Sequence, residues 1–233
     1  MNLKGAKIII TGGSSGIGKA TAKLLIEAGA EVLITGRDPK KLEKIGLSLR
    51  VKTKVFDVSN FELIPQLTKE IVTELGGVDI LINNAGVGDF NPLGELTLEQ
   101  FQRIFNTNVF GLSLLTQEIV PHFIQQNNGN IINIASTAAL KGFAHGSVYA
   151  ASKFALRGLT QCWQLELRKY NIRVILVNPS EVITAFNAPN RVEREEKESK
   201  LRPQEIAEII KAALEMDNRG FIPEVTVWAT NPK

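Results

Sequence analysis

Tyr149 and Lys153 stand four residues apart in a segment with helical periodicity, and this spacing suits proton chemistry. Side chains at positions i and i+4 leave the same face of a helix, so the ammonium group would lie beside the phenol. A tyrosine on its own titrates near pH ~10, and a nearby positive charge stabilises its phenolate. The pair therefore predicts a general acid or base, although the same spacing also occurs along the edges of ordinary amphipathic helices.

The elements around this pair alternate between short β-branched runs and longer helical patterns. Strands are predicted at 6–11, 31–35, 51–56, 80–82, 130–134, 173–177 and 225–228. Helices are predicted at 17–28, 39–49, 62–75, 97–126, 149–169 and 202–216. Because helices separate the strands, and strand residues 7–10 are apolar on both faces, the pattern predicts an α/β fold: a doubly wound (Rossmann) parallel sheet of about seven strands with helices on both faces.

The composition narrows the class of protein. A chain of 233 residues with 44% hydrophobic content can bury one core but is short for two enzyme domains, so a single domain over 1–233 is expected. A formal charge of +3, spread through the sequence, indicates neither a nucleic-acid groove nor a polybasic membrane patch. The apolar run at 6–11 is far too short to span a bilayer, and no signal core precedes it.

The few cysteine and histidine residues exclude an internally disulfide-bonded protein and a zinc site of recognised spacing. Cys162 is the only cysteine, so an internal disulfide is impossible and a reducing compartment fits. Cys162, His122 and His145 match no zinc-binding spacing, so no metal is expected. These features together predict a cytoplasmic protein.

A glycine-rich turn, Thr11-Gly12-Gly13-Ser14-Ser15-Gly16-Ile17-Gly18, joins the first strand to the first helix. Its glycines allow a tight turn and let a pyrophosphate approach the helix N-terminus, where N–H groups and the dipole favour negative charge. Many loops contain three glycines, but this position between strand and helix is specific. It predicts a dinucleotide site formed by Gly12, Ser14, Ser15, Gly16, Ile17 and Gly18.

The end of the second strand bears on the choice between NADP and NAD. An NAD-selective protein usually has an acid here for the ribose hydroxyls, whereas this chain reads Gly36-Arg37-Asp38. A guanidinium group can pair bidentately with a 2′-phosphate, and a missing carboxylate removes phosphate repulsion. Arg37 therefore predicts NADP(H). The alternative is that Arg37 is a solvated turn residue and Asp38 supplies the carboxylate.

Further motifs follow in a fixed order, and with them nearly the whole chain resembles the short-chain dehydrogenase/reductase family. They are Asp57-Val58 after the third strand, Asn83-Asn84-Ala85-Gly86 after the fourth, Asn108 in the long helix, Ser136 after the fifth strand, and Tyr149 with Lys153, the tyrosine 13 residues after that serine. The resemblance implies cofactor contacts from Asp57, Val58, Asn84, Ala85, Gly86, Tyr149, Lys153, Pro179, Val182 and Thr184.

The resemblance also implies catalytic roles. Tyr149 would give a proton to a carbonyl oxygen during hydride transfer from NADPH, and Lys153 would ease formation of the phenolate. Ser136 would fix the carbonyl oxygen, and Asn108 would anchor a water that connects Lys153 to solvent. Some residues have simpler alternatives. Asn83 and Asn84 could cap a turn and Asn108 could bend its helix, whereas Ser147, Ser152 and His145 are expected to be loop, helix-start or rim residues.

The chain resembles a shorter bacterial branch of 3-oxoacyl-[acyl-carrier-protein] reductases, which implies carrier-protein thioesters as the first expected substrate. Small ketones, 3-hydroxy acids and sugars are alternatives, and a non-catalytic NADP sensor is an alternative of another class. A basic rim of Arg157, Arg191 and Arg194 would favour an acidic carrier protein. Ser180 replaces the family's glycine after Pro179, which could reshape the nicotinamide end of the site.

Two surface features suggest further roles. The charged segment 187–200 is expected to be either a solvated helix face or mobile loop, or a lid on the substrate side of the cleft. The helix predicted at 149–169 carries more apolar residues than one sheet-facing stripe needs. Because the family uses this helix in a dimer interface, a homodimer or homotetramer is expected. The alternative is a helix buried under the charged segment.

Overall fold

The structure, a computed structural model, describes residues 1–186 and 194–231. Within them lies one parallel sheet with the strand order β3-β2-β1-β4-β5-β6-β7. The strands are β1 (Lys7–Ile10), β2 (Glu31–Gly36), β3 (Lys52–Val55), β4 (Ile80–Asn83), β5 (Gly129–Ile134), β6 (Ile172–Pro179) and β7 (Glu224–Val227). The predicted doubly wound α/β fold is confirmed, and the chain reverses its direction of sheet growth between β1 and β4.

Helices cover both faces of this sheet. They are α1 (Gly16–Glu27), α2 (Pro39–Leu49), α3 (Ile64–Leu75), α4 (Leu98–Phe105), α5 (Leu112–Gln125), α6 (Ser147–Leu167) and α7 (Pro203–Glu215). On one face, α1, α2 and α7 enclose a core cluster, and on the other face α3 and α5 enclose a second one. None of the helices among the described residues is long and apolar enough to cross a membrane.

Strand β1 explains why the sheet needs helices on both sides. Ile8 and Ile10 belong to the core cluster under α1 and α7, whereas Ile9 belongs to the cluster under α3 and α5. Successive side chains of a strand point to opposite faces, so a run of isoleucines buries apolar surface in both directions. Each buried isoleucine contributes about 1.5–3 kcal/mol relative to exposure. This packing fixes the strands so that their carboxyl ends meet at one edge.

The prediction of a single helix at 97–126 is wrong in the middle of that range. Helix α4 ends at Phe105, a π-helical turn occupies Asn106–Gly111, and α5 begins at Leu112. A Cβ atom at Gly111 would lie 2.1 Å from the main-chain oxygen of Val58, so this turn is pressed against the loop after β3. The apolar period continues across the turn, which is why sequence periodicity did not reveal it.

Candidate active site

A cleft of about 780 Å³ opens at the carboxyl ends of the strands, next to the point where the strand order reverses. Open α/β sheets bind their ligands at this position. The predicted site residues that line the cleft are Gly12, Ser14, Ser15, Gly16, Ile17, Arg37, Asp57, Val58, Asn84, Ala85, Gly86, Ser136, Tyr149, Lys153, Pro179, Val182 and Thr184. Gly18 and Asn108, also predicted, lie outside the cleft lining and support it from behind.

The glycine loop is tied to the loop that follows β4. The hydroxyl oxygen of Thr11 accepts hydrogen bonds from the main-chain nitrogens of Asn84 (3.1 Å) and Ala85 (3.0 Å). In return, the side-chain nitrogen of Asn84 donates to the main-chain oxygens of Thr11 (2.9 Å) and Gly12 (3.1 Å). These reciprocal bonds hold the loop in place. Sequence reasoning gave Thr11 no role, because the bonds link positions more than 70 residues apart.

Three glycines of this loop are required by its geometry. Gly12 and Gly16 have φ angles of +66° and +52°, a left-handed conformation that other residues rarely adopt. A Cβ atom at Gly18 would lie 2.5 Å from both the oxygen of Gly12 and the side-chain nitrogen of Asn84. Gly18 therefore lets α1 pack directly behind the loop.

The N-terminus of α1 borders the cleft and fits an anionic group. Helix α1 begins at Gly16, and within the described residues the side chain of Ser15 caps none of its free N–H groups. Uncapped N–H groups and the helix dipole favour a pyrophosphate. Gly12 and Gly16 present no side chain to obstruct its approach. These residues therefore fit a dinucleotide.

Arg37 and Asp57 face each other at the far end of the cleft. Their Nη1 and Oδ2 atoms are 3.6 Å apart, and the side chains are 48% and 35% exposed. Asp38, the alternative ribose acid, instead caps α2, where its Oδ1 accepts a 3.1 Å hydrogen bond from the nitrogen of Lys41. Asp38 does not line the cleft. Of the two candidates for the ribose position, Arg37 therefore lines the cleft and Asp38 does not.

Helix α6 presents Tyr149 and Lys153 to the opposite end of the cleft. Both side chains are buried, and the Lys153 Nζ atom lies 5.7 Å from the centroid of the phenol ring. This nitrogen donates a 2.9 Å hydrogen bond to the main-chain oxygen of Ile134 at the end of β5. The predicted pair thus shares one helix face and is fixed to the sheet edge.

Burial is the largest influence on the pKa values of Tyr149 and Lys153. It raises the pKa of Tyr149 to about 12, and the side chain of Ser136, the smaller of the two causes, acts in the opposite direction. It lowers the pKa of Lys153 to about 8. Loss of hydration opposes charge on both groups and dominates their pKa values here, so the acidifying effect expected of the ammonium group does not appear in the pKa of the phenol and stays a prediction. Tyr149 is a neutral hydrogen-bond donor near pH 7, as a general acid must be.

Ser136 stands directly after β5 and faces the same end of the cleft. Its oxygen accepts a 3.1 Å hydrogen bond from the nitrogen of Ala138, which starts a short 3₁₀ turn at Thr137–Ala139. Thr137 also lines the cleft, but Ser136 is the residue whose side chain lowers the pKa of Tyr149. Ser136 therefore lies in the same part of the cleft as the phenol, and its catalytic role stays a prediction.

Asn108 is fully buried in the π-helical turn and supports α6. Its Oδ1 accepts a bond from the nitrogen of Val87 (2.9 Å), and its Nδ2 donates to the oxygen of Val87 (2.8 Å) and to Oγ of Ser152 (3.1 Å). Ser152 in turn donates to the oxygen of Tyr149 at 2.7 Å. The side chain of Asn108 is thus occupied by protein groups, and the expectation that Asn108 anchors a water stays a prediction.

Asn83 stabilises the sheet and does not line the cleft. Its side-chain nitrogen donates 2.9 Å hydrogen bonds to Thr116 on α5 and to Asn133 on β5. Asn133 continues the chain with a 2.9 Å bond to Thr160 on α6. This buried network joins two neighbouring strands to two helices.

Residues 6–195 match the family model of short chain dehydrogenases. The chain belongs to the short-chain dehydrogenase family. This finding confirms the resemblance drawn from the motifs, and the match covers every element that positions the glycine loop, Ser136, Tyr149 and Lys153.

Individual relatives cover nearly the whole chain. A sepiapterin reductase of Chlorobaculum tepidum is 34% identical over 236 residues, with 96% of each chain covered. An alcohol dehydrogenase of Thermococcus sibiricus, complexed with 5-hydroxy-NADP, has a TM-score of 0.91 at 26% identity, covering 99% of each chain. A 3-ketoacyl-(acyl-carrier-protein) reductase of Brucella melitensis, complexed with NADH, has a TM-score of 0.89 at 27% identity, covering 99% of this chain and 100% of that one. The protein is accordingly an NAD(P)-dependent oxidoreductase of the short-chain dehydrogenase family.

Ser180, at the family's usual glycine position, fits its turn without strain. Among the described residues, positive φ angles outside glycine occur at Arg50, Asn127, His145 and Asn171, and Ser180 is not one of them. Its nitrogen donates a 2.8 Å hydrogen bond to the oxygen of Val227. Ser180 thus lies outside the left-handed region, and a reshaped nicotinamide end of the site stays a prediction.

The expected basic rim is only partly present in this short-chain dehydrogenase. Arg157 does not line the cleft and forms a 3.0 Å ion pair with Glu224. Arg194 does line it, and its Nη2 donates to the oxygen of Phe186 at 3.3 Å. Arg191 lies outside the described residues. His145 is exposed and does not contribute to the cleft wall.

The charged segment 187–200, for which a lid is one of the expected roles, can be described only from residue 194 onward, because 187–193 lie outside the described residues. Beyond it, Leu201 pairs with Val182 in an isolated β-bridge, and Lys200 forms a 2.6 Å ion pair with Glu181. The end of the predicted loop at 187–200 is thus attached to the cleft wall.

Four aromatic residues of the cleft were missed by sequence reasoning. Phe90, Phe143, Phe186 and Trp228 line it. They come from separate loops, so no helical or strand period joins them. The chain gave no local signal that would have brought them together.

Proposed function

We propose that this short-chain dehydrogenase reduces a ketone to a secondary alcohol with NADPH. The proposal rests on one observation, the convergence of Ser136, Tyr149 and Lys153 at one end of a cleft whose other end holds the glycine loop and Arg37. A carbonyl oxygen that gains negative charge needs a proton donor and a second hydrogen-bond donor at this place.

The residues that would hold NADPH follow from the cleft. Gly12, Gly16 and the N-terminus of α1 would receive the pyrophosphate, and Asp57 would border the adenosine. Arg37 would pair with the 2′-phosphate, which favours NADP over NAD. When bound, NADPH supplies the hydride that adds to the carbonyl carbon, leaving NADP⁺.

The proton steps belong to the protein. Tyr149 donates its phenolic proton to the carbonyl oxygen, and Ser136 donates a hydrogen bond to the same oxygen. Lys153, held by Ile134, offsets the negative charge that remains on the phenolate. Asn108 and Ser152 position α6, so we assign them a positioning role.

Two substrate classes remain for this reaction. Small ketones, including those that are reduced to simple secondary alcohols or to 3-hydroxy acids, suit a cleft lined by aromatic rings. A 3-oxoacyl thioester on a carrier protein is the second candidate, favoured by the likeness to the Brucella melitensis reductase and by Arg194 and Lys141 on the cleft wall. The ion pairing of Arg157 removes one support for that second candidate.

A screen of NADPH oxidation with and without Tyr149 tests the proposal. Acetoacetyl thioesters, diketones, aldehydes and sugar ketones are each supplied to the wild type and to Tyr149→Phe. We expect the variant to bind NADPH nearly normally while its turnover falls about 10²- to 10⁴-fold, since only the transferable proton is lost. Turnover retained within about tenfold would place the acid elsewhere. NADPH binding without oxidation of any carbonyl would favour the non-catalytic sensor.

The assembly and location of the protein are part of the same proposal. Phe154 and Leu165 on α6 are 44% and 70% exposed, and they lie eleven residues apart on one helix face. We infer that this face contacts a second copy of the chain. We also propose a cytoplasmic location, which the single cysteine supports.

A further inference from the structure

We propose that Phe90, Phe143 and Phe186 form an aromatic subsite that selects flat, unsaturated ketones. The inference rests on the proposed ketone reduction and adds the class of substrate to it. These three residues are called the aromatic subsite below.

The aromatic subsite is built around the phenol itself. The ring centroids of Phe90 and Tyr149 are 5.5 Å apart with an interplanar angle of 79°. Those of Phe186 and Tyr149 are 5.7 Å apart at 55°, and those of Phe143 and Phe90 are 5.7 Å apart at 56°. The rings therefore form inclined walls beside the proton donor, in the separations and orientations that aromatic groups favour.

Each ring comes from a different connection of the sheet. Phe90 follows β4, Phe143 lies between β5 and α6, and Phe186 follows β6. Two of these rings pack against the phenol ring of Tyr149 and the third packs against Phe90, which places the subsite beside the proposed proton donor. It cannot be a by-product of one amphipathic helix.

The subsite also exposes apolar surface that a ligand would cover. Phe90 is 40% exposed and Phe143 is 49% exposed, although both border a deep cleft. Exposed apolar surface within a concave site is typical of ligand binding. Two charged residues of the cleft wall are already engaged, since Glu181 pairs with Lys200 and Arg194 binds the oxygen of Phe186.

A flat ring uses these walls better than a saturated group does. An alkyl chain gains only buried area, whereas a planar π-system also gains edge-to-face and offset contacts with inclined rings. A polyhydroxylated sugar would have to lose hydration against the same apolar walls. The geometry thus favours an aryl or conjugated ketone whose carbonyl reaches Tyr149.

A matched pair of ketones isolates this effect. Acetophenone and cyclohexyl methyl ketone have the same carbon skeleton and differ in planarity and unsaturation. The ratio of their kcat/KM values is measured for the wild type, Phe90→Leu, Phe186→Leu and the control Phe101→Leu, an exposed phenylalanine of α4 outside the cleft. Comparing ratios between variants cancels the different intrinsic reactivities of the two ketones.

We expect the ratio to fall about three- to tenfold in Phe90→Leu and in Phe186→Leu. It should change less than about twofold in Phe101→Leu. An unchanged ratio in both subsite variants, with both ketones still reduced, would overturn the aromatic subsite while leaving ketone reduction intact.

Calorimetric titration of the same two ketones into the NADP⁺-loaded protein separates the remaining outcomes. Preferential binding of acetophenone that depends on Phe90, with no turnover, would support the subsite and contradict the reductase. If neither ketone is bound or reduced by the wild type, the inference is wrong.

Discussion

The side-chain nitrogen of Asn108 lies 3.1 Å from Oγ of Ser152, so a π-helical turn is joined directly to α6, the helix that carries Tyr149 and Lys153. Ser152 is fully buried and passes its own hydrogen bond to the main-chain oxygen of Tyr149. Asn108 is also bound on its other side to both main-chain polar groups of Val87. The loop after β4, the turn and α6 thus form one rigid support for the phenol.

The first prediction is that Ser152→Ala weakens this support. The free energy of unfolding should fall by about 1–3 kcal/mol, because the buried amide of Asn108 loses one acceptor. Turnover should fall by about tenfold, since small displacements of a proton donor are costly. Denaturant unfolding and steady-state kinetics measure the two effects. Ser147→Ala is the control, because Ser147 lies exposed at the start of the same helix. Equal behaviour of the two variants would contradict the assigned role.

The second prediction concerns the choice of nucleotide by Arg37. Replacing it with glutamate or glutamine removes the partner proposed for the 2′-phosphate, so the ratio of NADPH to NADH affinity should fall about 10- to 100-fold. The glutamate variant should gain less affinity for NADH than an isolated acid would provide, because the negative charge of Asp57 lies beside it. Dissociation constants for both nucleotides provide the measurement.

A matched charge reversal controls for long-range effects of this change. Arg219→Glu alters an arginine that is 92% exposed and paired with Asp217. Its preference should match that of the wild type. If the Arg37 variants also keep the wild-type preference, the phosphate assignment is wrong.

The third prediction tests the packing behind the glycine loop. Gly18→Ala should raise the dissociation constant of NADPH by at least about tenfold, because its Cβ would overlap the main-chain oxygen of Gly12. The backbone must shift to relieve this contact, and the loop shifts with it. Gly94→Ala is the control, since a Cβ there meets nothing within 4 Å. Normal nucleotide binding by Gly18→Ala would show that the loop adapts freely.

The sequence was sufficient to predict those parts of the fold that depend only on residues close together in the chain. The isoleucine run of β1 and the glycines at its end are adjacent in the chain, so period and turn chemistry predicted a strand, a phosphate loop and a helix in order. The spacing of Tyr149 and Lys153 likewise predicted that they share a helix face. These inferences needed no knowledge of distant contacts.

Other features depend on approach in three dimensions. Ser152 follows Tyr149 by three residues and so lies on the same helix face, a signal that could have been read, but its partner Asn108 is 44 residues away. The π-helical turn that presents Asn108 leaves the apolar period unchanged. The direction of the Tyr149 pKa depends on burial, which the sequence does not reveal.

The fourth prediction concerns assembly through α6. Replacing Phe154 and Leu165 together by glutamate should yield a smaller species, because charged groups cannot be buried unpaired in an interface. Sedimentation velocity measures the change in mass. Leu47→Glu on α2 is the control, since that leucine is 76% exposed on another helix. A wild type that already sediments as a monomer would contradict the proposed interface.

The fifth prediction is a pH dependence of stability that belongs to Lys153. Burial lowers its pKa from 10.5 to about 8. Between these values the folded protein binds fewer protons than the unfolded chain, so the free energy of unfolding rises with pH across this window. Below pH 8 both states are protonated, and the full cost of burying the charge is present. The rise amounts to about 2–3 kcal/mol between pH 8 and pH 10.

Lys153→Met should remove this rise, so the difference between the wild-type and variant unfolding curves should change steadily from pH 8 to pH 10. Tyr149 acts in the opposite direction only at higher pH, since its raised pKa favours the folded state below pH 10 and that contribution is lost between 10 and 12. Urea titrations at pH 8, 9 and 10 therefore isolate the lysine. Lys23→Met, at a side chain 65% exposed on α1, should give a constant difference. If the difference between wild type and Lys153→Met also stays constant with pH, the ammonium group is hydrated in the folded protein. The burial that keeps the neighbouring phenol neutral would then be wrong as well.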